Sequence, residues 1–155
     1  MAGKYATSTS VRSSQSRGEL EDILSKYGAT DYAYVARTTE AVIAFRMHEV
    51  NIRFTLPLPD KNADEFRLTP SKKWERSDEE WAKAYEQAVR SSWRSLLLVV
   101  KAKLEAIETG IVTFEQEFYA HLVLPSGRTI FEETHEQVRT ALESNIKTFR
   151  LEIEG

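Results

Sequence analysis

The sequence predicts an α+β fold: an N-terminal helix, a three-stranded antiparallel sheet, one long helix and two shorter C-terminal helices. Three observations carry that expectation. Apolar residues alternate with period 2 over positions 41–47 and again over 51–56. An apolar stripe of helical period runs unbroken from Trp81 to Ile107. Each expected helix opens on a capping-box spacing: Ser16 with Glu19, Ser77 with Glu80, Thr113 with Gln116, Thr129 with Glu132.

The elements follow in order. Residues 1–13 are rich in Ser and Thr without apolar periodicity and read as a flexible arm. Residues 14–155 then form one α+β domain, with a basic-leaning sheet half (14–76) and an acidic helical half (77–155). After Ser16, the residues Leu20, Ile23, Leu24 and Tyr27 recur at i, i+3, i+4 and i+7, and Gly28 is the expected left-handed stop. Positions 31–37 are rich in aromatic and β-branched residues, as a strand prefers. In 41–47 and 51–56, Ile43, Phe45, Met47, Ile52, Phe54 and Leu56 fall on one face, leaving Arg46 and Arg53 on the other. These two strands are joined as a hairpin through His48-Glu49, and Pro57 and Pro59 end the sheet because proline cannot donate to a ladder. Residues 58–76 have loop composition with a basic, aromatic end.

From Trp81, apolar residues recur at 85, 88/89, 93, 96/97, 100, 104 and 107, about eight helical turns or roughly 40–45 Å, closed by Gly110. A helix of that length outreaches a small sheet, so part of it packs on the C-terminal segment or on a second subunit. A shorter helix follows Thr113 to about Leu122, and Pro125-Ser126-Gly127 makes a turn. The last helix lines Phe131, His135, Val138 and Leu142 along one face. The tail over 146–153 is either a strand or a continuation of that helix.

Composition narrows the chemistry. With 41% hydrophobic and 29% charged residues the chain is globular in kind. It has no cysteine, which excludes disulfides, thiol catalysis and thiolate metal sites. The longest apolar run, Leu96 to Val100, is far short of the roughly 20 residues that span a bilayer, and the first residues lack a secretory core. A cytoplasmic, soluble protein with no membrane association is expected. The net charge of −3 divides unevenly, with 12 Lys/Arg against 10 Asp/Glu in residues 1–76 and 9 against 14 in residues 77–155. Nucleic-acid binding by bulk charge is thereby excluded, and any such contact is local to the N-terminal half.

No catalytic constellation is present. The chain has neither a phosphate-binding Gly-rich loop nor a Gly-x-Ser-x-Gly elbow. Glu117 with His121, and Glu132 with His135, each share a helix face, as half of a di-metal carboxylate site would. The further ligands such a site needs are not identifiable, so both histidines read as partly buried structural residues, and neither a metal nor a cofactor is expected. The basic and aromatic residues are more informative. Arg37, Arg46 and Arg53 fall on successive strands, Arg46 and Arg53 could share one sheet surface with Tyr32 or Tyr34, and Lys72, Lys73, Trp74 and Arg76 add a basic loop. Arginine forks with stacking rings suit single-stranded nucleic acid. The competing reading is that the arginines merely solvate a sheet face and Trp74 packs on the start of the long helix.

Three stretches resemble a family of small hypothetical proteins of bacterial phages and prophages. They are the run from Lys4 to Arg12 with Tyr27-Gly28-Ala29, the strand pair from Ala41 to Met47 and Ile52 to Asp60, and the segment from Phe114 to Arg128. The hairpin turn departs from the family, with His48-Glu49 where Asn-Gly is expected, and so does the C-terminal tail. The resemblance implies a phage setting and assigns no site residue. The order helix, three antiparallel strands, long helix is also similar to that of double-stranded-RNA-binding domains and of the core of phage strand-annealing proteins, whose motif residues are not present here.

Three functional expectations result. The first is a non-enzymatic accessory protein binding single-stranded nucleic acid, or a replication or recombination complex, through Arg37, Arg46, Arg53, Lys72, Lys73, Trp74 and Arg76. The second is an inhibitor or adaptor that acts on a host protein, such as a defence enzyme, through acidic residues Glu115, Glu117, Glu132, Glu133 and Glu136. The third is an oligomer that sequesters a small nucleotide between subunits. The long striped helix favours a homo-oligomer in each case.

Overall fold

The computed structural model describes the backbone of residues 4–144 and the side chains of residues 14–144. The element order is α1 (Lys4–Lys26), β1 (Thr30–Ala36), β2 (Glu40–Met47), β3 (Val50–Pro57), α2 (Asp64–Arg67), α3 (Asp78–Glu108), α4 (Phe114–Phe118), a 3-10 turn (Tyr119–His121) and α5 (Ile130–Ser144). The α+β architecture expected from the sequence is therefore present. The tail at 146–153, expected as strand or helix, lies outside the described residues.

The strands form one antiparallel sheet in the order β1-β2-β3. Its register explains which side chains share a face. Tyr34 pairs with Ile43 and Ile43 with Phe54, whereas Val35 pairs with Val42 and Val42 with Thr55. The first row faces the core, together with Ala41, Phe45, Met47, Ile52 and Leu56. Helices α1 and α3 cover that face. Leu20 and Leu24 of α1 are buried there, as are Val89, Trp93, Leu96, Leu97, Val100 and Leu104 of α3, the stripe expected from helical period. Along its length α3 packs on α1 and α2 and, as the sequence reading expected for part of it, on α4 of the C-terminal segment. Phe118 of α4 completes the core and is fully buried.

The opposite sheet face carries Ala33, Val35, Val42, Ala44, Arg46, Asn51, Arg53 and Thr55, none of them buried. At its β3 edge, Val123 N–H donates to the Asn51 carbonyl (2.8 Å), and Leu122 bridges Ile52. At the other edge, a bulge shifts the β1 register between Thr30 and Ala33, with Asp31 at φ +56°.

Several details differ from the sequence reading. The first helix starts at Lys4, so Ser16 lies within it and residues 4–13, expected as a flexible arm, are helical. No proline interrupts this stretch. Its internal Gly18, with no atom near where a Cβ would stand, costs only about 1 kcal/mol of helix propensity. The loop at 58–76 contains α2, which opens on Asp64 and Glu65 at its positive end and buries Phe66 edge-on against Tyr85 (5.8 Å). The helix after Thr113 ends as an α-helix at Phe118 and tightens into the 3-10 turn.

The hairpin turn expected at His48-Glu49 forms, with Met47 paired to Val50. Both turn residues take positive φ, +49° and +64°, the type I′ geometry for which Asn-Gly is the usual solution. A non-glycine residue there costs roughly 1–2 kcal/mol. His48 offsets part of this by packing its ring on Phe114, 4.5 Å between centroids.

Candidate functional site

A cleft of about 810 Å3 lies between the open sheet face and the start of α5. Its walls include Val42, Arg53 and Thr55 from the sheet, Ala120 and His121 from the 3-10 turn, and Thr129, Phe131 and Glu132 from α5, with Arg37 and Glu40 at the β1–β2 turn. The chain is brought there by two capping boxes. Thr113 and Gln116 start α4, which drives Phe118 into the core. Thr129 and Glu132 exchange the same reciprocal bonds (2.8 and 3.2 Å) at the head of α5. Between them, Gly127 takes φ +80°, a left-handed turn position that suits glycine.

Arg53 clasps this arrangement to the sheet. Its guanidinium donates to Glu132 Oε2 (2.5 Å) and to the Gly127 carbonyl (2.8 Å). The Thr129 N–H bond first, with the Arg53 cation adding to it, holds the Glu132 carboxyl below its usual range. His121 stacks on Phe54, 4.1 Å between centroids. Burial, and secondarily the Lys103 cation, pushes its imidazole below the usual histidine range. Arg37 pairs with Glu40 across the β1–β2 turn. The ionisable side chains lining the cleft are thus all engaged within the fold, and the cleft works as a structural clasp.

The seven residues expected to contact nucleic acid fall on two parts of the fold, three on or beside the open sheet face and four in the loop between α2 and α3. Arg37 and Arg53 are held in ion pairs. Arg46 is exposed near the β2–β3 turn, at the far end of β2 from Glu40, with no ion pair among the described residues. Tyr32 and Tyr34 lie on the core side, beside Phe45 and Trp93, so the expectation that they join Arg46 and Arg53 on one sheet surface is corrected. Register decides this, because Tyr34 sits opposite the buried Ile43.

Lys72, Lys73, Trp74 and Arg76 do lie together, in a closed loop between α2 and α3. Leu68 bridges Glu75, Thr69 N–H donates to the Trp74 carbonyl (2.7 Å), and Trp74 N–H donates to Thr69 Oγ1 (3.0 Å). The Trp74 side chain does not pack on α3 as the competing reading had it: the residue is 65% exposed, with Lys72 Nζ 4.6 Å from its ring centroid. Arg76 N–H returns to the Arg67 carbonyl (2.7 Å). Arg67 and Arg76 also line a neighbouring cleft of about 340 Å3 with Trp81.

The two Glu/His pairs are used separately. Glu117 accepts from Lys103 (2.9 Å) while His121 stacks on Phe54; Glu132 holds Arg53 while His135 Nδ1 lies 3.1 Å from the Phe131 carbonyl. Among the described residues, no three His, Asp or Glu side chains are grouped as metal ligands would be. No helix among them is long and apolar enough to cross a membrane. Sequence reasoning missed the clasp. The Thr129–Glu132 spacing was visible, but nothing local marked Arg53, 79 positions away, as its partner.

Comparisons with protein-family models, with curated proteins and with solved structures each return no match.

Proposed function

We propose that the protein is a non-enzymatic cytoplasmic accessory protein that contacts single-stranded nucleic acid through the loop at residues 67–76. The observation that carries this reading is Trp74, an indole 65% exposed on a loop pinned by its own backbone bonds, with a lysine over its ring. Residues 67–76 hold Arg67, Lys72, Lys73 and Arg76 against Glu75 alone. A base can stack on any exposed indole, which contributes about 1–3 kcal/mol per base, while flanking cations take the phosphates. Arg46, without an ion pair among the described residues, is a further cation on the sheet. The resemblance to phage proteins suggests a replication or recombination complex as the setting.

Fluorescence anisotropy with labelled single-stranded and duplex oligonucleotides, at low and moderate salt, tests this directly. Trp74→Ala weakens single-strand binding by about tenfold or more. Lys72→Ala with Lys73→Ala flattens the slope of log affinity against log salt by roughly 1.4, since each single-strand phosphate contact contributes about 0.7. No binding at micromolar protein rejects the reading.

The alternative, an adaptor acting on another protein, draws less on the acidic residues than expected. Glu117, Glu132, Glu133 and Glu136 are paired with Lys103, Arg53, Arg128 and Arg139 respectively. What favours a protein partner is α5, whose apolar stripe is exposed. Nuclease-resistant recovery of a partner on immobilised protein supports this second reading.

A further inference from the structure

Among the described residues, two apolar faces are left without a partner, and they match each other. Helix α5 has no buried residue. Phe131, Val138 and Leu142, at i, i+7 and i+11 on one stripe, are 59%, 53% and 67% exposed, and His135 stacks on Phe131 within that stripe. On the open sheet face the register sets three cross-strand rows: Val35, Val42 and Thr55; Ala33, Ala44 and Arg53; and Arg46 with Asn51. The alanine row makes a shallow trough beside the valine row, and Val35 is 51% exposed. The stripe from 131 to 142 is about 16 Å long at 1.5 Å per residue, and the rows from Val42 to Arg46 span about 13 Å. The chain's own α5 does not fill the trough. Its first turn is clasped at the rim by Arg53, where Phe131 lines the same cleft as Val42 and Thr55, and the stripe from Phe131 to Leu142 stays exposed.

Charge selects the occupant. Between residues 130 and 144, α5 carries Glu132, Glu133, Glu136 and Glu143 against Arg139. The open face and its two adjoining turns carry Arg37, Arg46 and Arg53 against Glu40 and Glu49. Arg53 already holds one α5 glutamate, and Arg46 has no ion pair among the described residues. An acidic, apolar-striped helix facing an apolar, arginine-edged trough is self-complementary. Two α5 helices laid on each other would instead oppose acid to acid.

We propose that the protein forms a two-fold dimer in which α5 of each copy lies on the open sheet face of the other. The contact is isologous, so each interface residue is used twice. It covers both unpartnered faces at once, and it leaves the 67–76 loop outside the interface.

Sedimentation of the full chain over a range of concentrations reads the dimer, with Val138→Glu on α5 and Val35→Glu on the sheet as variants. Both positions are exposed in the single chain, so circular dichroism and melting of the dilute variants stay native-like. Each substitution puts an unpaired charge in an apolar contact and raises the dimer Kd by about a hundredfold or more. Mixing the two variants restores part of the association, because one of the two contacts is then intact. Three results overturn the proposal. One is a monomer at all concentrations, which leaves the α5 stripe to residues 145–155 or to another protein. The second is a dimer broken by Val138→Glu but not by Val35→Glu, which means α5 pairs with α5. The third is failure of the mixture to associate better than either variant alone.

Discussion

Phe118 and Tyr119 are neighbours in sequence with opposite fates, and their substitution separates a core residue from a surface one. Phe118 is fully buried. Its ring meets Phe45 and Phe54 edge-on, at 6.4 and 6.2 Å with interplanar angles of 87° and 83°, and Phe114 at 5.2 Å. Phe118→Ala removes the ring from a site walled by the sheet on one side and α3 on another, which cannot close over the gap. The cost of such a cavity is about 3–5 kcal/mol. At roughly 2–4 °C per kcal/mol for a chain of this size, Tm falls by about 6–20 °C. Tyr119→Ala, at an exposed position, changes stability by no more than about 0.5 kcal/mol. Thermal and urea melts of the two variants beside the parent provide the comparison. A drop of under about 3 °C for Phe118→Ala, or equal drops for both, would show that α4 does not seat in the core as described.

Three other perturbations have definite outcomes. Ser77→Ala removes the side-chain half of the α3 capping box and costs about 1 kcal/mol, seen as a lowered urea midpoint with unchanged slope; an unmoved midpoint means the box is not holding the helix start. Because burial and the Lys103 cation hold the His121 imidazole below its ordinary range, the unfolded chain takes up a proton that the folded chain refuses as pH falls through about 6.5, so stability declines across that window. His121→Gln removes this contribution and narrows the gap between urea midpoints at about pH 7.5 and 5.5; an equal gap in both proteins refutes it. Arg53→Ala speeds hydrogen exchange in the first turn of α5 and leaves oligonucleotide affinity unchanged, whereas a loss of affinity as large as that from Trp74→Ala would return Arg53 to the binding surface.

What the sequence made legible was local and periodic. Alternation assigned the faces of β2 and β3, and helical period picked out Val89, Trp93, Leu96, Leu97, Val100 and Leu104 as buried. The capping boxes at Ser77, Thr113 and Thr129 are formed. The fourth spacing, Ser16 with Glu19, matched the same pattern but lies inside α1. A capping motif describes what a helix start can do, and where the preceding residues also tolerate helix it is not used. The candidate site was less legible because it depends on pairings across the chain. Whether an arginine is free or engaged is decided by what the fold carries past it. Arg53 meets Glu132 only because β3, the 122–123 bridge and the Gly127 turn bring α5 alongside. The tyrosines of β1 were misplaced for a related reason: a bulged strand with aromatic residues on one face and small ones on the other shows no clear alternation until its partner fixes the register.

The sheet edges carry a consequence for behaviour at high concentration. A three-stranded sheet offers two free backbone edges, and a free edge can template strand addition from another molecule. Here the β3 edge is occupied at Asn51 and Ile52 by Leu122 and Val123. The β1 edge is broken at Thr30–Ala33 by its bulge, with a charged residue at positive φ in the gap, which leaves only residues 33–36 in regular extension. Four residues are too few to seed a lengthening cross-β stack, which draws on six or seven. Crowding is therefore expected to drive this chain toward discrete assemblies held by side chains, not toward fibrils held by backbone.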